Sequence, residues 1–296
     1  MVVMRGWWQD LTDLVLPADC AGCGAPRTAL CPRCRAVLDR GVPRRVRPSP
    51  EPAGLPPVLA VAPYAAEARE LLLAHKERGA LALAPVLGAA LARAVRAGLG
   101  RGGGAGASGG DRPGGPGRGP VLLVPVPSAR WAVRARGHDP VRRMALAAAG
   151  ELRRTGTPAR VAAVLRQRRA VADQAGLDAR RRLENVAGAL EVSADGGRLL
   201  GAGRVVLVDD LMTTGASLAE AARALREAEA SRRDGGTAVY RAITREGREE
   251  RWMGVRRERR QWVRRAPEKV LSNALGRVSL AAVIAAPGDS FEKNRN

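Results

Sequence analysis

GRVVLVDDLMTTGASLAEAARAL, residues 203–225, joins an apolar run, two carboxylates, a cluster of small hydroxyl residues and a helical repeat. Val205 to Val208 show no polar alternation, the pattern of a strand buried on both faces of a parallel sheet. Asp209 and Asp210 then stand where that strand emerges. Ser217 with Glu220 three residues later has the spacing of a capping box. Leu218, Ala221, Ala222 and Leu225 recur at helical intervals, so a helix is predicted from Ser217. Between strand and helix lies the short loop LMTTGA. A helix N-terminus offers unpaired N–H groups and partial positive charge, Gly215 permits close approach, and Thr213, Thr214 and Ser217 add hydroxyls. Together these favour a phosphate. The aspartates would repel it and make better sense as acceptors for sugar hydroxyls or partners of a divalent cation carried by the ligand. A phosphorylated ribose satisfies both halves.

The chain has 296 residues, room for one α/β core plus an accessory module. Aromatic residues are only 3%, so the core must be built from Ala, Val and Leu. The formal charge is +21, and of 50 basic residues only Lys76, Lys269 and Lys293 are lysine. Such a charge favours polyanions; a base-composition bias that enriches Arg, Ala and Gly together accounts for it equally well. The N-terminal MVVMRGWWQDLTDLVLP has no apolar run of export-signal length, and VSLAAVIAA at 278–286 is too short to span a bilayer. A cytoplasmic protein without membrane insertion is expected.

All four cysteines fall in CAGCGAPRTALCPRC. Cys20 and Cys23 form one CxxC and Cys31 and Cys34 another, a set of four thiolates suited to one tetrahedral zinc. Two disulfides are the alternative, disfavoured where no export signal is present. Four thiolates leave no open coordination position, so the zinc would be structural.

The Pro- and Arg-rich segment 41–57 has linker composition. VLAVAPY (58–64) is a predicted strand, and 67–76 and 83–95 are predicted helices. In 97–120 half of the residues are glycine, which predicts a disordered loop. VLLVPV (121–126) is a second apolar strand, followed by PSARWAVRARGH with Arg130, Arg134 and Arg136. A helix then starts with Asp139 as N-cap and Pro140 at its first position. If this strand runs parallel to 205–208, the two loops open on the same edge, where open α/β sheets bind ligands. Arginines and a flexible Gly137 suit a pyrophosphate. Segment 166–190 is polar and basic, as in a solvated helix with a flexible approach. TAVYRAIT (237–244) is predicted as the last strand, and VAAVL around Leu165 as a further candidate. His75, ending a helix, is expected at a solvated or capping position; His138 is a possible ligand contact.

No GxxxxGK[ST] occurs, which sets aside a P-loop nucleotide triphosphatase. The Gly-rich tract follows a helix rather than a strand, which sets aside a dinucleotide-binding fold.

VVLVDDLMTTGAS resembles the 5-phosphoribosyl 1-pyrophosphate (PRPP) signature of type I phosphoribosyltransferases. The N-terminal double CxxC, the PVP…RG loop (Pro125, Val126, Pro127, Arg136, Gly137), the QxxLxxRxRxxN segment (Gln174, Leu177, Arg180, Arg182, Asn185) and this signature stand in the order found in the ComF family. Members of that family are implicated in natural competence and DNA uptake. The resemblance covers about residues 14–245; where other members often have RGFNQ, this chain has RGHDP.

The resemblance implies an α/β fold with a parallel sheet flanked by helices and a small N-terminal zinc-binding module. The implied layout is a module and linker over 1–50, a phosphoribosyltransferase-like domain over 51–245, and a basic, partly disordered tail over 246–296. Asp209 and Asp210 would hold the ribose hydroxyls of PRPP, with Thr213, Thr214, Gly215, Ala216 and Ser217 around its 5-phosphate. Arg136 and Gly137 would meet the pyrophosphate together with magnesium. The 166–185 segment would cover the site, and Arg180 or Arg182 would neutralise the departing pyrophosphate. The implied reaction is displacement at the anomeric carbon by a nitrogen nucleophile, resting on positioning and charge stabilisation. Residues 58–95 are the candidate hood for that acceptor.

The alternative is a non-catalytic PRPP sensor or DNA-binding protein, its zinc module and basic surface engaging single-stranded DNA or DNA-processing proteins. REERWMGVRRERRQWVRR, 248–265, has the basic and aromatic mixture such a surface uses, and equally that of a solvated tail. Oligomeric state is not legible.

Overall fold

The structure is a computed structural model that describes residues 19–102, 119–171, 178–201, 203–233 and 278–292. Helix α1 (Pro32–Asp39) begins at the second CxxC, with Cys31 as N-cap. Strands β1 (Arg44–Val46) and β2 (Val58–Pro63) follow, then α2 (Ala66–Lys76) and the long α3 (Ala84–Gly102). The next unit is β3 (Val121–Pro125), a short α4 (Arg130–Arg136) and α5 (Pro140–Arg154). After β4 (Ala159–Val161) and β5 (Leu165–Gln167) come α6 (Ala179–Val186), β6 (Leu190–Val192) and α7 (Gly196–Leu200). The last described elements are β7 (Arg204–Leu211), α8 (Ala216–Arg233) and β8 (Val278–Ala286).

Six strands form one sheet in the order β1-β2-β8-β7-β3-β4, antiparallel only at the β1 edge. β5 and β6 pair separately as a two-stranded antiparallel ribbon. Successive residues along a strand point to opposite faces, and on β7 both faces are covered. Val206 and Val208 join the cluster under α3 and α5 with Leu91, Met144 and Ala148. Val205 and Leu207 join the cluster under α8 with Leu218, Ala222 and Leu225. Burying each larger apolar side chain contributes roughly 1.5–3 kcal/mol, which is why an unalternated run becomes an interior strand. With few aromatics available, α3 and α5 fill space by close approach. A Cβ on Gly88 would lie 2.4 Å from that of Ala147.

Three sequence expectations change here. The segment 41–57 is not only a linker, because Arg44–Val46 pairs with β2 at the sheet edge. The tract 97–120 begins as helix: α3 runs to Gly102, since Ala97 and Leu99 pack on the core. Residues 103–118 lie outside the described residues. The expected tail 246–296 contains β8, a central strand between β2 and β7. Judged against bilayer thickness, its apolar run is too short; judged as a strand buried on both faces, it has the same unalternated pattern as β7. The predicted strand 237–244 and the basic segment 248–265 lie outside the described residues.

Among the described residues, one helical stretch, 81–100, is long and apolar enough to cross a membrane by length and composition. Most of it is buried against the sheet and α5.

Candidate functional site

β3 and β7 are adjacent and parallel, with Pro125 opposite Val208, so the loops that follow them open on one edge. They meet there around a cleft of about 760 Å³. One wall carries Asp209, Asp210, Thr213 and Ser217, and another Pro127, Ser128, Trp131 and Arg136. Gln167 from β5, Arg182 from α6 and Leu190 from β6 close a third side, while Lys76 and Glu77 enter from the end of α2. The convergence of the two loops follows directly from the parallel pairing.

The carboxylates end β7 and are 9% and 6% exposed at Asp209 and Asp210. Asp209 Oδ1 accepts the Asp210 N–H at 2.8 Å. Asp210 Oδ2 lies 3.0 Å from Lys76 Nζ. Burial opposes the charged form of both. At Asp210 the Lys76 ammonium overcomes it, and the carboxyl falls below its ordinary range. At Asp209, burial and then the neighbouring Asp210 charge push the carboxyl well above its ordinary range. The two carboxyls are thus driven apart in acidity, with Lys76 stabilising the charge on Asp210.

In the loop after β7, Gly215 has φ +74°, a left-handed conformation that L side chains rarely adopt. Leu55 and Pro48 pack within 3.3 Å of where its Cβ would be. Ala216 is buried. Thr213 and Ser217 line the cleft, whereas Thr214, Gly215 and Ala216 do not. The helix starts at Ala216 rather than Ser217, and Glu220 does not complete a capping box. Its carboxylate instead accepts the Leu190 N–H at 3.0 Å and pairs with Arg223.

The second loop is partly helical. Residues Arg130–Arg136 form α4, closed by Gly137 at φ 73°. Arg130 donates its backbone N–H to Gln167 Oε1 at 3.3 Å and a guanidinium N–H to the Gln167 carbonyl at 3.0 Å, tying α4 to β5. Arg136 lines the cleft and makes a bidentate pair with Glu77 at 2.9 and 3.0 Å. Asp139 caps α5 and Pro140 is its first residue, as predicted, with Asp139 Oδ1 accepting the Arg142 N–H.

Of the covering segment, Arg182 lines the cleft. Arg180 points outward, 3.0 Å from Glu184. Gln174 and Leu177 lie outside the described residues. His75 is not solvated. It is 1% exposed, with Nδ1 3.4 Å from the Ala80 carbonyl and Nε2 3.4 Å from the Pro140 carbonyl, because it sits on the inner side of α2 against the start of α5. His138 bonds the Arg136 carbonyl at 3.1 Å and is not among the residues lining the cleft.

The sequence reading missed Lys76, Glu77, Trp131 and Gln167. A signal existed for Lys76. In a chain that uses arginine almost wherever it needs a cation, a lysine at the end of a predicted helix marks a place where a compact ammonium on a flexible stem is required.

At the N-terminus the four cysteines can hold a metal ion such as zinc. Their Sγ atoms all lie within 4.8 Å of one another, and none forms a disulfide. Cys23 and Cys31 sulfurs are 3.5 Å apart, while the Cys34 N–H points at Cys31 Sγ and the Cys31 N–H at Cys20 Sγ. Burial raises Cys20, but N–H bonds from Cys31, Cys23 and Gly22 outweigh it and bring the thiol down to about 6. Cys34 goes up, through burial and then the neighbouring sulfurs. Cys20, Cys31 and Cys34 pack into the main core beside Leu71 and Leu87, so the knuckles are continuous with the α/β unit.

Neither protein-family models nor curated protein sequences yield a match to this chain.

Proposed function

We propose that the chain is a ComF-type, type I phosphoribosyltransferase-like protein that binds PRPP with magnesium and transfers phosphoribose to a nitrogen acceptor. The carrying observation is the convergence of a carboxylate loop and an arginine-bearing loop at one cleft on the C-terminal edge of parallel β3 and β7. Its volume of about 760 Å³ suits a small phosphorylated ligand. The α/β sheet with helices on both faces is compatible with the type I fold.

In this reading Asp209 and Asp210 accept hydrogen bonds from the ribose hydroxyls, and Thr213 and Ser217 donate to the 5-phosphate beside the start of α8. Arg136 and Arg182, both lining the cleft, face the diphosphate. Asp209 and Asp210 would hold magnesium, whose positive charge would offset the negative charge of the diphosphate. The acidic pair is the part of the site whose chemistry fits that ion. Arg180 would reach the ligand only by leaving Glu184, so Arg182 carries the leaving-group role by position. The cleft walls hold the anomeric carbon open to a nucleophile and stabilise the charge that develops on the leaving diphosphate.

Calorimetric titration with PRPP and magnesium tests the pocket without requiring the acceptor. Saturable binding that disappears in the Asp209→Asn, Asp210→Asn double variant is the expected result. A folded protein that binds no PRPP overturns the proposal. Pyrophosphate release on addition of a nitrogen acceptor then separates a transferase from a sensor.

A further inference from the structure

Two consecutive residues at the end of α2 occupy the charged groups of both ligand loops. Lys76 Nζ lies 3.0 Å from Asp210 Oδ2 at the end of β7, and Glu77 holds Arg136 of α4 through two hydrogen bonds. Resting on the proposed reading of the cleft, we propose that Lys76 and Glu77 are a built-in substitute for the ligand, and that Lys76 passes from Asp210 to the diphosphate when the cation-bearing substrate enters.

The charges match in kind. Lys76 stands where a cation would meet the acidic pair, and Glu77 stands where an anion would meet Arg136. A divalent cation arriving at Asp209 and Asp210 repels the ammonium beside it, while the diphosphate it carries attracts the same ammonium. Lysine has the means to move: its charge rides on a four-carbon stem, and the side chain is 35% exposed on the cleft wall. Arg136 has donors to spare, since its Nη1 is buried without a hydrogen-bond partner among the described residues. Released from Glu77, the guanidinium presents its fork to a phosphate oxygen pair. The exchange makes the cation and the anion enter as one ligand, because either alone must displace a partner already in place.

The test is calorimetry on the full chain with three probes: magnesium chloride alone, inorganic pyrophosphate alone, and PRPP with magnesium. In Lys76→Gln, magnesium alone should bind ~tenfold tighter, while pyrophosphate and PRPP with magnesium should bind ~tenfold more weakly. Lys76→Arg keeps the charge and should hold pyrophosphate within ~threefold of the parent protein. Glu77→Gln frees Arg136 and should bind pyrophosphate ~threefold tighter. A residue with only a structural role would shift the probes in one direction. If the parent protein binds PRPP with magnesium but Lys76→Gln moves the magnesium and pyrophosphate affinities together, or neither, the exchange is overturned and the cleft reading survives. If the parent protein binds no PRPP, both fall. Should Lys76→Gln fail to fold, Glu77→Gln decides, and unchanged or weaker pyrophosphate binding overturns the exchange.

Discussion

Leu190 and Glu220 are joined by a hydrogen bond of 3.0 Å from the Leu190 N–H to a carboxylate that is almost fully buried. Arg223, paired with the same carboxylate, donates to the Leu190 carbonyl at 2.9 Å. One ion pair on α8 thus satisfies both backbone groups of a residue that lines the cleft. Glu220→Ala removes the acceptor and leaves the Leu190 N–H buried. A loss of about 1–3 kcal/mol is expected, the cost of an unsatisfied buried donor. Denaturant unfolding measures it, and hydrogen exchange at Leu190 should rise ahead of the central strands.

The four clustered sulfurs form a set that a metal could hold as thiolates, its charge offsetting the repulsion among them. About one zinc per chain is expected in purified protein. Chelation, or Cys34→Ser, should loosen residues 19–40 while leaving the β7–β8 region protected, because the knuckles pack on the sheet core but contribute no strand to it. Metal analysis and hydrogen exchange are the measurements. Stoichiometric disulfides in reducing-agent-free preparations would refute the metal reading.

Asp209 carries a pH signature. Its carboxyl is pushed well above the ordinary value by burial and by Asp210, so the ligand-free site tends to hold a proton there. A cation with a diol requires the ionised form, so binding expels that proton and affinity rises with pH until Asp209 is ionised in the free protein. The slope approaches ~tenfold per pH unit for one proton released. Titrations in buffers of different ionisation heat read the proton directly, and Asp209→Asn should abolish the buffer dependence.

His75 predicts acid sensitivity. Burial lowers its pKa below the ordinary histidine value, outweighing the two carbonyls at 3.4 Å. A folded-state pKa below the unfolded one means the unfolded chain takes up the proton first. Its contribution is therefore fully present above the ordinary histidine value and lost as pH falls below it, towards the lower folded-state value. Melting temperature should decline as pH falls below about 6.5, the unfolded-state value. His75→Gln, which keeps one N–H donor, should flatten the decline.

The strands β2, β3 and β7, the cap of α5 and the carboxylate loop were legible because each is written in adjacent residues. Val205 to Val208 need no partner to show that both faces are buried, and Asp139-Pro140 announces a helix start by itself. The edge strand β1 was not legible. Arg44 and Arg45 carry no alternation, and they become a strand only because β2 offers an unpaired edge. β8 has a clear pattern, but nothing near it in the chain indicates its place beside β7. The role of Glu220 was misjudged for a related reason: its spacing from Ser217 is local, whereas its partner Leu190 is thirty residues away.

Sequence alone established an α/β chain with an acidic loop after a buried strand, an arginine-bearing loop after another, and a four-cysteine cluster. Those features rest on short-range patterns of burial, capping and ligand spacing, which a linear reading can follow. Only the tertiary structure decided that the two loops share one cleft, that β8 separates β2 from β7, and that Lys76 and Glu77 reach across to Asp210 and Arg136. The physical reason is that strand order and side-chain pairing are set by which buried faces and opposite charges meet in space, and contacts between residues 59 or more positions apart leave no periodic mark along the chain.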